Sequence, residues 1–105
     1  MPKASVIIPT YNRAECLGRA INSILNQTYS DFELIIVDNN STDQTPALLN
    51  KYENKYPNII RTATEHKQGS YAARNKGIRL AKGKILAFTD SDCIADKNWL
   101  TIGIK

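Results

Sequence analysis

Four short apolar runs, each ending abruptly in polar residues, constrain the fold more than any other feature of this chain. Ala4, Ser5, Val6, Ile7 and Ile8 stop at Pro9, and residues 33–37 stop at Asp38. Residues 58–62 form the weakest run. Residues 85–88 lead through Thr89 into Asp90, Ser91 and Asp92. Continuous apolar runs of this length suit strands covered on both faces, as in parallel sheets. Parallel strands require long crossovers, and the segments between these runs are long enough to supply them.

Those segments have helical character. Leu17, Ala20, Ile21, Ile24 and Leu25 recur at helical spacing, which predicts one apolar stripe on a helix of about four turns. After the second run, Ser41, Thr42 and Asp43 offer caps. Pro46 suits an early helical position, and Leu48, Leu49, Tyr52 and Tyr56 supply a buried face. After the third run, Gly69 and Ser70 precede a helix carrying Ala73, Gly77, Leu80 and Ala81. Arg79 and Lys82 lie near its C-terminal end, and Gly83 is expected to stop it. The order β-α-β-α-β-α-β with right-handed crossovers predicts an α/β, Rossmann-like, mostly parallel sheet with helices on both faces. At 105 residues and 42% hydrophobic content the chain is one domain with a real core. Asp96, Trp99 and Leu100 look like the start of another helix, and the sequence stops at Lys105 without a cap. The expectation is a domain truncated after the fourth strand.

Open parallel sheets bind ligands beyond the carboxyl ends of their strands. Chemistry-bearing residues collect there in this chain: Pro9, Thr10, Tyr11, Asn12 and Arg13 after the first strand, Asp38 to Asp43 after the second, Asp90, Ser91 and Asp92 after the fourth. Alternation puts Asp90 and Asp92 on one side, where two like charges repel and raise one pKa. A hard divalent cation such as Mg2+ relieves that repulsion. The alternative is a helix cap and a solvated turn, which aspartate also favours. Asp38 can accept hydrogen bonds from a base or from hydroxyls, or cap the following turn. Tyr11 can stack on a planar base or stand as a rim tyrosine, and Arg13 can reach a phosphate or remain solvated. Arg74 lies on the third helix, where the two carboxylates offer it a partner. The lone histidine, His66, reads as a solvent-exposed loop residue.

Several function classes drop out. Net charge is +4, with 14 Lys and Arg spread without a block, which can help attract a phosphate-bearing ligand; no nucleic-acid motif is present. Cys16 and Cys93 are far apart, so with one histidine there is no zinc pattern, and reduced thiols are expected. Met1, Pro2 and Lys3 run into a strand rather than a signal peptide, and no stretch approaches the ~20 apolar residues of a membrane span. A cytoplasmic location is expected, with membrane contact left open. Neither a G-x-G-x-x-G fingerprint nor a Walker A sequence follows the first strand. One loop histidine does not support a Ser-His-Asp triad.

Taken together, the segments resemble the N-terminal half of a family 2 glycosyltransferase with the GT-A fold, the nucleotide-diphospho-sugar transferase fold. The resemblance rests on residues 5–13, on 24–29, on 31–43, on Gly69, on 73–78, on 81–83 and on Asp90, Ser91 and Asp92, in the expected order. It implies transfer of a sugar from a nucleotide-diphosphate donor, typically a UDP-sugar, to an acceptor hydroxyl with inversion. It also implies residue roles. Pro9, Thr10 and Tyr11 border the nucleoside, with Asn12 and Arg13 completing that loop, and Asp38 holds the base. Asn39 replaces a second acidic residue and leaves that role intact. Asp90 and Ser91 lie by the ribose and diphosphate, Arg74 lies near the diphosphate or orders the carboxylates, and Asp92 with Asp90 holds Mn2+ or Mg2+. The acceptor in a full-length protein would be a glycan or a lipid-linked sugar.

The resemblance also sets a limit. An inverting transfer needs a base near the acceptor hydroxyl, which in this family is an acidic residue well after the D-x-D. Only Asp96 follows here, too close in sequence to match. No catalytic residue is therefore assigned, and residues 1–105 are expected to bind donor without turning it over. The other readings are a silent nucleotide-sugar binding module and a sugar-nucleotidyltransferase-like domain; the latter would need a glycine-rich loop where Pro9 to Arg13 stand.

Overall fold

Each apolar run forms a strand and each intervening segment forms a helix. The structure, a computed structural model, describes residues 2–91 and 93–104. The elements are β1 (Ala4–Thr10), α1 (Ala14–Leu25), β2 (Phe32–Asp38), α2 (Thr45–Lys55), β3 (Ile60–Thr64), α3 (Ser70–Leu80), β4 (Ile85–Phe88) and α4 (Trp99–Ile104). The sheet is parallel, in the order β3-β2-β1-β4. The chain thus steps outward from β1 to β3, then returns to the other side of β1 to lay down β4. With right-handed crossovers, that reversal moves the connecting helix to the opposite face. One face of the sheet accordingly packs Val6, Ile8, Leu34 and Ile36 against Leu17, Ile21 and Ile24 of α1 and Leu49 of α2. The other packs Ile7, Ile35 and Val37 against Ala73 of α3.

The helix over β1 comes very close. A Cβ at Gly77 would lie 2.5 Å from Ile7 Cγ2, so only glycine lets α3 sit at this depth.

Several boundaries differ from expectation. β1 does not stop at Pro9 but continues to Thr10. Ile7 O accepts from Thr89 N at 3.2 Å, so the polar groups of Ile7 face β4, and two residues along those of Pro9 do as well. β4 has ended at Phe88, so the missing N–H of Pro9 breaks no ladder bond. β3 starts two residues late because Ile59 and Ile60 both donate to Tyr56 O, closing the turn after α2. α3 ends at Leu80 and Ala81 is already extended, so Gly83 is not its terminator. Gly83 instead lies against β1, where a Cβ would come within 2.7 Å of Ser5 N and of Ala4 C.

Candidate nucleotide-sugar cleft

β1 is the strand at which the order reverses, and open parallel sheets take ligands at such a switch point, beyond the carboxyl ends of the strands. Here the loop after β1 leads into α1, and the segment after β4 passes the cleft and then fastens to the far end of α1, Ala95 N donating to Ser23 Oγ at 3.0 Å and Leu100 N to Gln27 Oε1 at 2.9 Å. Pro9 has no N–H to donate on the β4 side, and pairing with β4 has ended two residues before it. The open cleft here has a volume of about 290 Å³ and is lined by Pro9, Thr10, Tyr11, Arg13, Asn39, Asp90 and Ser91. That is at the small end for a ligand site. Thr10 and Ser91 are buried in its floor, while Tyr11 presents about half of its surface, 47%. Thr10 Oγ1 is buried without a hydrogen-bond partner among the described residues.

Six of the residues expected at a ligand site therefore meet in one place. Arg74 joins them at the lip: its Nη2 lies 3.8 Å from Asp90 Oδ1, with both side chains largely solvated. Asp92, expected as the principal metal ligand, lies outside the described residues.

Asp38 and Asn12 are placed differently from the roles expected of them. Asp38 is buried and its Oδ1 accepts from Ser41, from the N–H at 3.2 Å and from the hydroxyl. It borders a separate hollow with Pro46, Thr62 and Thr64. The cleft wall at the end of β2 is Asn39 instead. Successive residues of a strand face opposite ways, so the step from Asp38 to Asn39 changes which of them sees the cleft. Asn39 also fastens the β3–α3 loop: its Nδ2 donates to Glu65 O at 3.0 Å and Lys67 O at 2.8 Å, and its Oδ1 accepts from Gly69 N at 2.8 Å. The side chain of Asn12 does not line the cleft. Its Oδ1 accepts from the N–H groups of Thr42 at 2.8 Å and Asp43 at 3.3 Å. Asp43, read from sequence only as a cap, accepts from Thr45 N at 2.9 Å and from Ala14 N at 3.3 Å. Hydrogen bonding from Thr45, and then from Ala14, holds its carboxyl below the ordinary value despite some desolvation.

The model of Glycosyl transferase family 2 matches residues 5–105. The chain belongs to this family. Among its curated members, glycosyltransferase AglE of Haloferax volcanii is 42% identical over 107 residues, covering all of this chain and 35% of AglE. Among solved structures, S. aureus TarS 1-349 in complex with UDP superposes with a TM-score of 0.86 at 33% identity, over 97% of this chain and 31% of that one. The mannosyltransferase PcManGT of Pyrobaculum calidifontis, in complex with GDP-Man and Mn2+, superposes with a TM-score of 0.84 at 31% identity, over 91% of this chain and 29% of its own. The chain spans about a third of the length of these relatives. The parallel sheet with helices on both faces is the GT-A fold of the family, as the sequence led one to expect.

Proposed function

We propose that this chain is the donor-binding part of a metal-assisted, inverting glycosyltransferase, and that the cleft between β1 and β4 takes a nucleoside-diphosphate sugar, with uridine as its base. The observation that carries the reading is the convergence of Tyr11, Arg13, Asp90 and Ser91 on the single crevice at the switch point. Tyr11 offers a ring face to a planar base, and Arg13 and Arg74 offer cations to the diphosphate. Asn39 walls the base side, and Asp38 acts behind it by holding Ser41 in the loop. The complexes of TarS with UDP and of PcManGT with GDP-Man support a nucleotide donor.

The donor atoms here suit a hard cation. Asp90 contributes a solvent-open carboxylate at the lip, with its side chain 61% exposed, and the diphosphate oxygens complete an all-oxygen set with Asp92. When bound, Mn2+ or Mg2+ would offset the negative charge that develops on the departing nucleoside diphosphate. The chain's own residues orient the donor and keep the leaving group beside Arg74. The acceptor hydroxyl, a glycan or lipid-linked sugar, and the base that deprotonates it belong to the remaining two thirds of a full-length enzyme. This chain alone binds donor without transfer. The reading places it in the cytoplasm; no described helix is long and apolar enough to cross a membrane.

Calorimetric titration with UDP, GDP, dTDP and CDP, with and without Mn2+, tests this. UDP is expected to bind most tightly and to need Mn2+. Asp90→Asn should weaken that binding about tenfold, or ~1.4 kcal/mol, and Asp92→Ala at least as much. Failure of all four nucleotides to bind would leave the fold and family and remove the assigned site.

A further inference from the structure

Tyr11 and Arg13 face the cleft from a loop, and loops hold side chains less firmly than strands do. Here the loop is fastened on both sides of Arg13 to a second loop about thirty residues away. Asn12 has left-handed backbone, φ 50°, which asparagine tolerates better than most residues. In that conformation its N–H donates to Ser41 Oγ at 2.8 Å, and its Oδ1 accepts from the N–H groups of Thr42 and Asp43 at 2.8 and 3.3 Å. Ala14, on the other side of Arg13, donates its N–H to Asp43 Oδ2 at 3.3 Å. Asp43 Oδ1 accepts from Thr45 N at 2.9 Å. One carboxylate therefore joins the first residues of α1 and α2, while one asparagine joins the loops that precede them. Ser41 is in turn held by Asp38 at the end of β2, so the clasp is anchored to the sheet.

We propose that Asn12 and Asp43 are positioning residues: they lock the β1–α1 loop onto the β2–α2 loop so that Tyr11 and Arg13 face the cleft before any ligand arrives, and neither touches the ligand. The proposal rests on the nucleotide-sugar reading for its consequence, but the clasp is a property of the unliganded chain. Pre-ordering a loop removes its ordering cost from binding, so releasing the clasp weakens affinity without removing a contact. Two backbone N–H groups occupy Asn12 Oδ1, so a ligand could not take that oxygen without opening the clasp.

Two measurements test this on the 105-residue chain. The first uses no ligand: fluorine NMR of fluorotyrosine placed at Tyr11. A single sharp line is expected in the parent protein, and a broadened or split line in Asn12→Gly, which accepts the left-handed backbone but lacks the side chain; Asn12→Asp, which keeps the acceptor, should retain the sharp line and so separate loss of the clasp from the backbone freedom of glycine. Asp43→Asn, which keeps an acceptor oxygen for one of the two helix N–H groups, is expected to fall between. The second is UDP titration with Mn2+: Asn12→Gly should lose about tenfold in affinity, and Asn12→Asp, which retains the acceptor, should recover most of it. An unchanged Tyr11 line in Asn12→Gly overturns the proposal whatever the titration shows. Lost affinity with an unchanged line would make Asn12 a ligand contact and overturn it equally. A parent protein that binds no nucleotide, but whose Tyr11 line broadens in Asn12→Gly, supports the clasp and removes the nucleotide reading alone.

Discussion

The two ends of the same sheet carry polar clusters of opposite design. At the amino ends of the strands, Glu33 sits among partners that satisfy it. Its Oε2 accepts from Ser5 Oγ at 2.6 Å and Lys82 N at 2.7 Å, and Arg61 Nη2 lies 3.2 Å from its Oε1. Ser5 Oγ also accepts from Gly83 N at 2.8 Å, and Arg61 donates to Leu80 O. At the carboxyl ends, Arg74 and Asp90 lie 3.8 Å apart and open to water, and Thr10 Oγ1 has no partner among the described residues. The closed cluster fastens the end of α3 and the entry to β4 onto β1 and β2. The open one leaves its charges available. Buried polar groups that are fully satisfied favour one structure, whereas groups left over at a crevice favour a ligand. The comparison predicts that mutations at the two ends separate cleanly: the amino end governs stability, and the carboxyl end governs affinity.

The sharpest break is expected at Glu33. Glu33→Ala leaves Ser5, Lys82 N–H and Arg61 without their common acceptor and should cost about 3 kcal/mol in urea unfolding at neutral pH. The same residue sets an acid response. Burial works to raise its pKa, but hydrogen bonds from Ser5 and Lys82 N–H, together with Arg61, outweigh it and hold the carboxyl below its ordinary 4.5. A depressed folded pKa gives stability that is present above 4.5 and lost as pH falls through the lower folded value. Stability of the parent chain should therefore drop below that pH more steeply than that of Glu33→Ala. Parallel acid profiles would show that Glu33 is not the group responsible.

Gly83→Ala comes next. The added Cβ would meet the Ala4 and Ser5 backbone at 2.7 Å, and backbone cannot step aside as a flexible side chain does. A loss of about 2 kcal/mol is expected. UDP affinity, where measurable at low temperature, should stay within about twofold, because Gly83 lies at the opposite end of the sheet from the cleft. A selective loss of affinity would contradict the division between the ends.

How much of this was legible in the sequence follows from the range of each interaction. The strands could be read because 6–8 and 34–37 are continuous apolar runs, and their ends could be read only to within about two residues, because Pro9 and Asp38 interrupt the apolar pattern but not the strands themselves. The cleft could be read because the topology rule acts on whole elements. Asn39 could not be told from Asp38, since a single-residue step decides which side chain faces the crevice, and both are polar. The clasp was hidden for another reason: Asn12 and Asp43 are thirty-one positions apart and meet only through backbone N–H groups, which leave no mark on side-chain pattern. The Glu33 cluster was hidden too, because a glutamate opening an apolar run reads as a strand boundary until Arg61 and Lys82 arrive beside it.

The smallest effect is expected at Arg74, and it discriminates most finely. An ion pair at 3.8 Å between two solvated side chains contributes little to folding, so Arg74→Gln should change stability by less than about 0.5 kcal/mol. Its effect on binding has a sign that depends on its role. An Arg74 that contacts the diphosphate supports the leaving group, and its loss lowers UDP affinity even at saturating Mn2+. An Arg74 that only balances Asp90 leaves a freer carboxylate when removed, and Mn2+ should then bind more tightly with UDP affinity unchanged. The position of Arg74 at the cleft lip favours the first role, because its side chain, 46% exposed, is solvated enough to turn from Asp90 to an incoming anion. The expected result is about a threefold loss in UDP affinity, stronger at low ionic strength because the contact is charge-assisted and screened by salt. Titrating UDP and Mn2+ separately against Arg74→Gln distinguishes the two roles, and a rise in Mn2+ affinity alone would return Arg74 to the carboxylates.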